Sequence, residues 1–558
     1  MNPVRSKHLK KSVDSQIEDR TSSGMNRLSD LVKRHGFKVY PLLFAFFPLL
    51  SFYGANSSEI QSGGFNLATF ILFNLVVLAV LWPLALLVMR SLRKASILAV
   101  VILAIFFSFG RFHDHLQDFV INTPITPLGP TKILLLASGL ILLLAWFGIR
   151  RLSPKGTDVT NLTLTIVGAY LFISTLLSVA LPQLTADQKA SKASDSPQAS
   201  LGSNIEEENL PDIYYIVLDG YARSDILKAN FNYDNSEFLN SLKGRKFYIA
   251  DKANSNYTHT HFSVSSTFNM KYLNYLTKQM GEESTDRSPL RELVQKNEAA
   301  KIFKSMGYKY VVIGSQWAWG ESSPIADIVV KTKKQEDTKI LNITLDEFAL
   351  VYLQTTALKP WISSSLREGF VAKILGAFDR TEEVSNIDGP TFTFTHILSP
   401  HPPYLFNKGG IIKQTKLEIL NHGFSDRKKY AEQTEYVNKR TLEMIDTILN
   451  NSDKPPIIIL ASDHGPASSL GQSDFNQTDP AKFDREGIKE RHGILNTYYF
   501  PDRNYSKLYP DITPVNSFRL ILDQYFGQKN QLLPDRSYFS NNKANEYRLF
   551  DVTDLIKN

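Results

Sequence analysis

Hydrophobic and polar positions divide the chain into two regimes. In the first third, five uncharged apolar stretches, roughly residues 39–56, 66–89, 95–110, 133–149 and 161–181, lie between short polar breaks. Their lengths approach the ~17 to 25 residues that a membrane-spanning helix needs, so they predict five spans. The third and fourth are short, and flanking Arg93, Lys94 and Arg150 can snorkel to the interface to help them cross. A cleavable signal peptide fits poorly, because a polar, basic segment precedes the first apolar run and no small-residue cleavage site follows it. Residues 183–209 are poor in large apolar side chains and rich in Ser, Ala and charge, the composition of a linker.

From about residue 210 the pattern changes. Short apolar runs alternate with amphipathic stretches, which predicts an α/β domain with a central, largely parallel sheet flanked by helices. "AAKIFKSMGYKYVVIG" (299–314) shows the unit: a helix, a Gly turn, then a strand. A second helix over about 427–450 places Tyr430, Val437, Met444, Ile445 and Ile448 near one face. No internal repeat is visible. The predicted organisation is a basic tail over 1–38, a transmembrane region over 39–182, a linker over 183–209 and a folded domain over 210–558.

Charge orients this arrangement through the positive-inside rule. Arg5, Lys7, Lys10, Lys11, Arg20, Arg27, Lys33 and Arg34 precede the first span, Arg90, Arg93 and Lys94 follow the second, and Arg150, Arg151 and Lys155 follow the fourth. The loop after the first span carries Glu59 and no basic residue. An odd number of spans then delivers the folded domain to the outer face of the membrane. The formal net charge of +7 over 558 residues is modest and points to no nucleic-acid partner. Cysteine is absent, which excludes disulfides, zinc–thiolate sites and cysteine nucleophiles.

Two strand-like runs end in chemistry. "IIILASDHGP" (457–466) carries four apolar residues into Asp463 and His464, and "IYYIVLDG" (213–220) runs into Asp219. Ligands of open α/β sheets gather at the carboxyl ends of strands. If the two strands are neighbours, Asp219, Asp463 and His464 converge as two hard oxygens and an imidazole nitrogen, a set that suits zinc or manganese. The alternative use of each Asp is to cap the following helix or turn.

Between these strands, "NSNYTHTHFSVSSTFNM" (254–270) is crowded with hydroxyls and contains His259 and His261. It fits a polar surface strand. It equally fits a helix start in which Thr258 or Thr260 sits at the positive end, where a metal can make the hydroxyl nucleophilic. "FHDHLQDF" (112–119) places His113 and His115 around Asp114. It is expected in the outer loop after the third span as a polar interfacial segment, since alternating histidines do not converge on one ion.

Taken in order, "YYIVLDG", the Thr-x-x-Ser of Thr260 to Ser263, "THILSPHPPY" (395–404), "ASDHG" and "RHGILN" (491–496) resemble the alkaline phosphatase and sulfatase superfamily. With the spans before them, they are most similar to its membrane branch, which includes lipoteichoic acid synthases and phosphoethanolamine transferases. The resemblance implies that Asp219, Thr260, Asp463 and His464 hold a divalent metal and that Thr260 is the nucleophile. It implies that His401 contacts the transferred group or the leaving oxygen, that His492 lies near the same site, and that His396 is a further substrate-binding position. It also implies transfer of a phosphoryl-linked headgroup, phosphoethanolamine or phosphoglycerol, from a membrane phospholipid to an envelope glycan or glycolipid. The setting would be the outer side of a bacterial cytoplasmic membrane.

The pattern also departs from its relatives. Thr260-His261-Phe262-Ser263 lacks the Pro and Arg of the sulfatase motif, and many transferase relatives carry Glu where this chain has Asp219. A membrane-anchored hydrolase and an inactive membrane scaffold are the alternative functions. The charge pattern predicts that a reporter active only outside the cytoplasm gives signal when fused after Asn558 and none after Arg151. The reverse result would overturn the orientation.

Overall fold

The computed structural model describes residues 38–54, 67–122, 129–189, 210–314, 318–332, 339–340, 343–344, 347–412, 424–475, 477, 479, 482–540 and 545–557. The basic tail and most of the expected linker lie outside them. The chain forms two compact units. One holds the apolar segments together with Leu345–Ile362, and the other holds Ser196–Thr344 and Ser363–Asn558.

In the apolar unit, helix α1 covers Lys38–Gly54, α2 Leu67–Met89, α3 Leu92–Asn122, α4 Pro130–Arg151 and α5 Pro154–Lys189. Among the described residues, α2 to α5 are the four helices long and apolar enough to cross a membrane. The expected count of five is therefore corrected to four plus one shorter apolar helix. At ~1.5 Å per residue α1 is about 25 Å long, less than the ~30 Å hydrocarbon layer. Helix α5 also continues through the first residues of the segment expected to be linker.

The segment "FHDHLQDF" is not a loop, because α3 runs through it. Its polar groups find partners that a local reading does not supply. His113 Nε2 lies 3.0 Å from Thr131 Oγ1, and Asp114 pairs with Lys359.

The second unit is built on a seven-stranded sheet. Its strands are β1 (Ile213–Leu218), β2 (Tyr248–Ile249), β3 (Lys309–Ile313), β4 (Ile328–Val330), β5 (Thr391–Ile397), β6 (Ile457–Ala461) and β7 (Asn496–Tyr499). They lie in the order β2-β7-β6-β1-β5-β3-β4. The pairs β6–β1, β1–β5, β5–β3 and β3–β4 are parallel, and β7 is antiparallel to both of its neighbours.

The apolar runs are continuous because both sheet faces are covered. Ile213, Tyr215 and Val217 of β1 enter one core with Ile457 and Ile459, whereas Tyr214, Ile216 and Leu218 enter the other with Ile458 and Leu460. Helix α6 (Thr260–Asn269) and helix α7 (Glu298–Ser305) pack into the first core. Helix α8 (Arg427–Asn451) covers the second through Tyr430, Val437, Met444, Ile445 and Ile448, the face that its spacing predicts. Helix α9 (Arg485–His492) leads into β7.

Helix α6 is further held by a buried charge cluster. Glu546 Oε1 lies 2.5 Å from His261 Nε2, and both Glu546 oxygens accept from Arg287 Nε at 2.7 Å. Burial works against the Glu546 carboxylate, but His261 and Arg287 overcome it and hold the group down to about 2 from an ordinary 4.5. A depressed carboxylate contributes stability that is fully present above its unfolded value and lost as pH falls through its folded value. Glu546→Gln is therefore expected to cost on the order of 3 kcal/mol at pH 7. In thermal melts of detergent-solubilised protein, the gap from wild type should narrow as pH falls from 4.5 to about 2. A gap that does not change with pH would refute this.

Candidate metal centre

Strands β1 and β6 place their terminal carboxylates side by side. Val217 registers with Ala461, so Asp219 and Asp463 each stand two residues beyond a matched pair. Ligand atoms of Asp219, Asp463 and His464 lie within 4.8 Å of one another, and all three residues are buried. His464 Nε2 is 3.3 Å from Asp463 Oδ2 and 3.7 Å from Asp219 Oδ1. Thr260 Oγ1 lies 3.2 Å from the same nitrogen. Thr260 is the first residue of α6, with the extended His259 before it, so its hydroxyl stands at the positive end of the helix.

The atoms turned toward this point have poor alternatives. Asp219 Oδ1 and Asp463 Oδ2 are buried and have no hydrogen-bond partner among the described residues. The Gly465 carbonyl lies 3.0 Å from His464 Nδ1 and can only accept a proton there. A neutral His464 thus carries its hydrogen on Nδ1 and presents a bare Nε2.

Electrostatics describes the same deficit of positive charge. Burial raises the Asp463 carboxyl to about 6, and the neighbouring Asp219 charge adds to the rise. Asp219 resists the same burial and is held below the usual carboxylate range by His401, His396 and His464. Burial, followed by the charge of Arg491, pushes His464 well below the usual imidazole value. Two buried oxygens without donors and an unprotonated imidazole fit a divalent cation, and the mixed oxygen–nitrogen set fits zinc or manganese.

The other sequence candidates fall into different places. His396 is fully buried on β5, with Nε2 3.3 Å from Asp219 Oδ2. His401 is half-buried, and its ring centroid is 6.3 Å from that of His464. Its Nδ1 contacts the Pro402 carbonyl at 2.6 Å. His492 is buried at the end of α9, and its Nδ1 contacts the Ser255 carbonyl at 3.0 Å rather than the three ligands. The two threonines separate clearly. Thr258 is fully buried, and its Oγ1 meets Ser540 Oγ at 2.9 Å and accepts from Ser540 N at 3.1 Å.

No family model and no curated relative matches the chain. Among solved structures, the periplasmic domain of EptC from Escherichia coli covers 63% of this chain and 96% of its own, at 11% identity and TM-score 0.40. The lipooligosaccharide phosphoethanolamine transferase EptA from Neisseria meningitidis, an integral membrane protein, covers 86% of this chain and 94% of its own, at 14% identity and TM-score 0.35. The lipoteichoic acid synthase LtaP from Listeria monocytogenes covers 65% and 84%, at 12% identity and TM-score 0.34.

Arg491 is a member of the site that the sequence does not reveal. It is buried, donates from Nε to the Thr258 carbonyl and from Nη1 to the Gly465 carbonyl, each at 2.8 Å, and so ties the threonine loop to the metal loop. Burial lowers it only to about 10, so it remains a cation. Its only sequence signal is adjacency to His492. Gly465 is equally constrained, because a Cβ there would stand 2.1 Å from the Glu490 carbonyl oxygen. Ser462 completes the loop by donating to the His464 carbonyl at 2.8 Å.

Asp463→Asn and His464→Ala are each expected to lose metal while the protein stays folded, since neither residue belongs to the two apolar cores of the sheet. The loss should exceed the ~10 to 100-fold that removing an outer-shell partner causes. Elemental analysis beside thermal melts reads both quantities. Full occupancy in both variants would place the metal elsewhere.

Proposed function

We propose that the chain is a membrane-bound, metal-dependent transferase that moves a phosphoryl-linked headgroup from a membrane phospholipid to an envelope glycan or glycolipid. The observation that carries this reading is Thr260 Oγ1, held at a helix start 3.2 Å from the bare nitrogen of His464 and beside two buried carboxylates. An inert scaffold has no need to hold two carboxylate oxygens in a protein interior without donors. The motif resemblance supplies the substrate class, and the apolar helices support a donor drawn from the lipid layer.

Asp219, Asp463, His464 and Thr260 would hold the metal, which when bound supplies positive charge for the hydroxyl and for the phosphate oxygens. His396 positions Asp219 through its contact with Oδ2. Thr260 Oγ forms a bond to phosphorus as the bond from phosphorus to the diacylglycerol oxygen breaks. The proton leaving Thr260 is matched by the proton that diacylglycerol takes up. In the second half-reaction the acceptor hydroxyl attacks phosphorus, the Thr260 ester breaks, and the threonine recovers its proton.

His401 or His492 would carry these protons. The His401 Nδ1 is engaged by the Pro402 carbonyl, which leaves Nε2 to exchange. His492 is buried with Nδ1 against the Ser255 carbonyl and keeps an Nε2 without a partner among the described residues. With the basic turns at 90–94 and 150–155 on the cytoplasmic side, α5 leads outward, and α1 must also cross to keep the basic tail on that same side.

Purified protein given labelled phospholipid should place label in a glycan or glycolipid, whereas free headgroup alone would show a hydrolase. Thr260→Ala should abolish turnover. Thr258→Ala should keep substantial activity and lose about 1 kcal/mol of stability with the bond to Ser540. Peptide mass spectrometry after acid quenching, with donor and no acceptor, should find a phosphodiester on Thr260. An adduct on Thr258 would refute the assignment.

A further inference from the structure

Residues 345–362 follow half of the second unit in sequence yet belong to the apolar unit. Tyr352 is their anchor. It is 1% exposed, and its ring lies among Phe52, Phe70, Phe73 and Phe107 at centroid distances of 5.3, 5.5, 6.4 and 6.3 Å. Its hydroxyl lies 3.0 Å from Asn74 Nδ2, which also donates to the Ala45 carbonyl at 2.8 Å, and 3.1 Å from Asn74 Oδ1. A buried Asn in an apolar helix is costly unless its amide is satisfied, and Tyr352 satisfies it from outside the bundle's own sequence.

The backbone is engaged as well. Gly110 N donates to the Thr355 carbonyl at 3.0 Å, and Ala357 N donates to the Phe106 carbonyl at 2.8 Å. Lys359 pairs with Asp114. Gly110 permits the approach, since a Cβ there would stand 1.8 Å from the Gln354 carbonyl oxygen. Gly110 stands about 27 Å along α3 from Leu92, and Asn74 about 24 Å along α2 from Arg90, at ~1.5 Å per residue. The strap therefore enters the end of the bundle opposite the basic Arg90–Lys94 turn.

We propose that residues 345–362 are a strap that locks the extracytoplasmic part of the chain into the membrane bundle independently of the linker after α5. The chain passes between the two units at three places, after Asp195, Thr344 and Ile362, and only the first is the linker. Severing the linker leaves the other two crossings intact, and they flank the one segment that buries Tyr352 among α1, α2 and α3. The lock does not depend on the chemistry proposed above.

The test uses the full chain with a protease site inserted between Lys189 and Leu210. After cleavage and a high-salt wash of membranes, the carboxyl-terminal fragment should remain in the pellet. Gly110→Leu drives a side chain into the Gln354 carbonyl, and Tyr352→Asp places a charge among the four Phe rings. Each should shift the cleaved fragment into the supernatant, and either decides the matter if the other fails to accumulate. Release of the cleaved wild-type fragment would overturn the proposal, as would equal retention in wild type and variant.

Discussion

Adjacent parallel strands force two carboxylates into one buried point, and the loops and helices around it are arranged to that constraint. Asp219 and Asp463 emerge from β1 and β6 in matched register, so their separation is set by the hydrogen-bonded ladder rather than by loop flexibility. Two such groups repel, and a dry interior makes their paired charge costly unless a cation stands between them. Without one, one carboxyl is pulled below its usual range and the other is pushed up to about 6.

The surrounding loops hold this strained point open. The Gly465 carbonyl fixes His464 in the tautomer that leaves Nε2 bare, Ser462 holds the His464 carbonyl, and Arg491 bridges the Gly465 and Thr258 carbonyls. Because Thr258 is thus held on both its carbonyl and its hydroxyl, α6 starts at a set place and Thr260 faces His464. The Glu546–His261–Arg287 cluster restrains the same helix from the other side. Position and charge are therefore determined by the same few contacts.

The apolar unit follows a related rule in a different solvent. Polar side chains inside a membrane bundle must be satisfied within the protein, and here part of that satisfaction comes from a distant stretch of chain. Asn74 and Asp114 meet Tyr352 and Lys359 from residues 345–362. The same contacts explain why α3 extends beyond the apolar run that announces it.

The sequence by itself determined the two regimes, the largely parallel sheet, the apolar face of α8 and the carboxylates at the ends of two strand-like runs, whereas the pairing of those strands, which brings Asp219, Asp463 and His464 together, came from the fold. Each of the former depends on local periodicity or on a strand end, and both survive folding unchanged. Composition left Thr258 and Thr260 open and the motif resemblance pointed to Thr260; the tertiary structure set Thr260 Oγ1 beside His464 and buried Thr258 against Ser540, because that choice turns on where α6 starts. It also decided the partners of His396, His492 and Arg491, and it reduced five expected spans to four long helices and a shorter one. The strap was illegible for the same reason: its contacts join residues far apart in sequence, and no local pattern of polarity records a partner that distant.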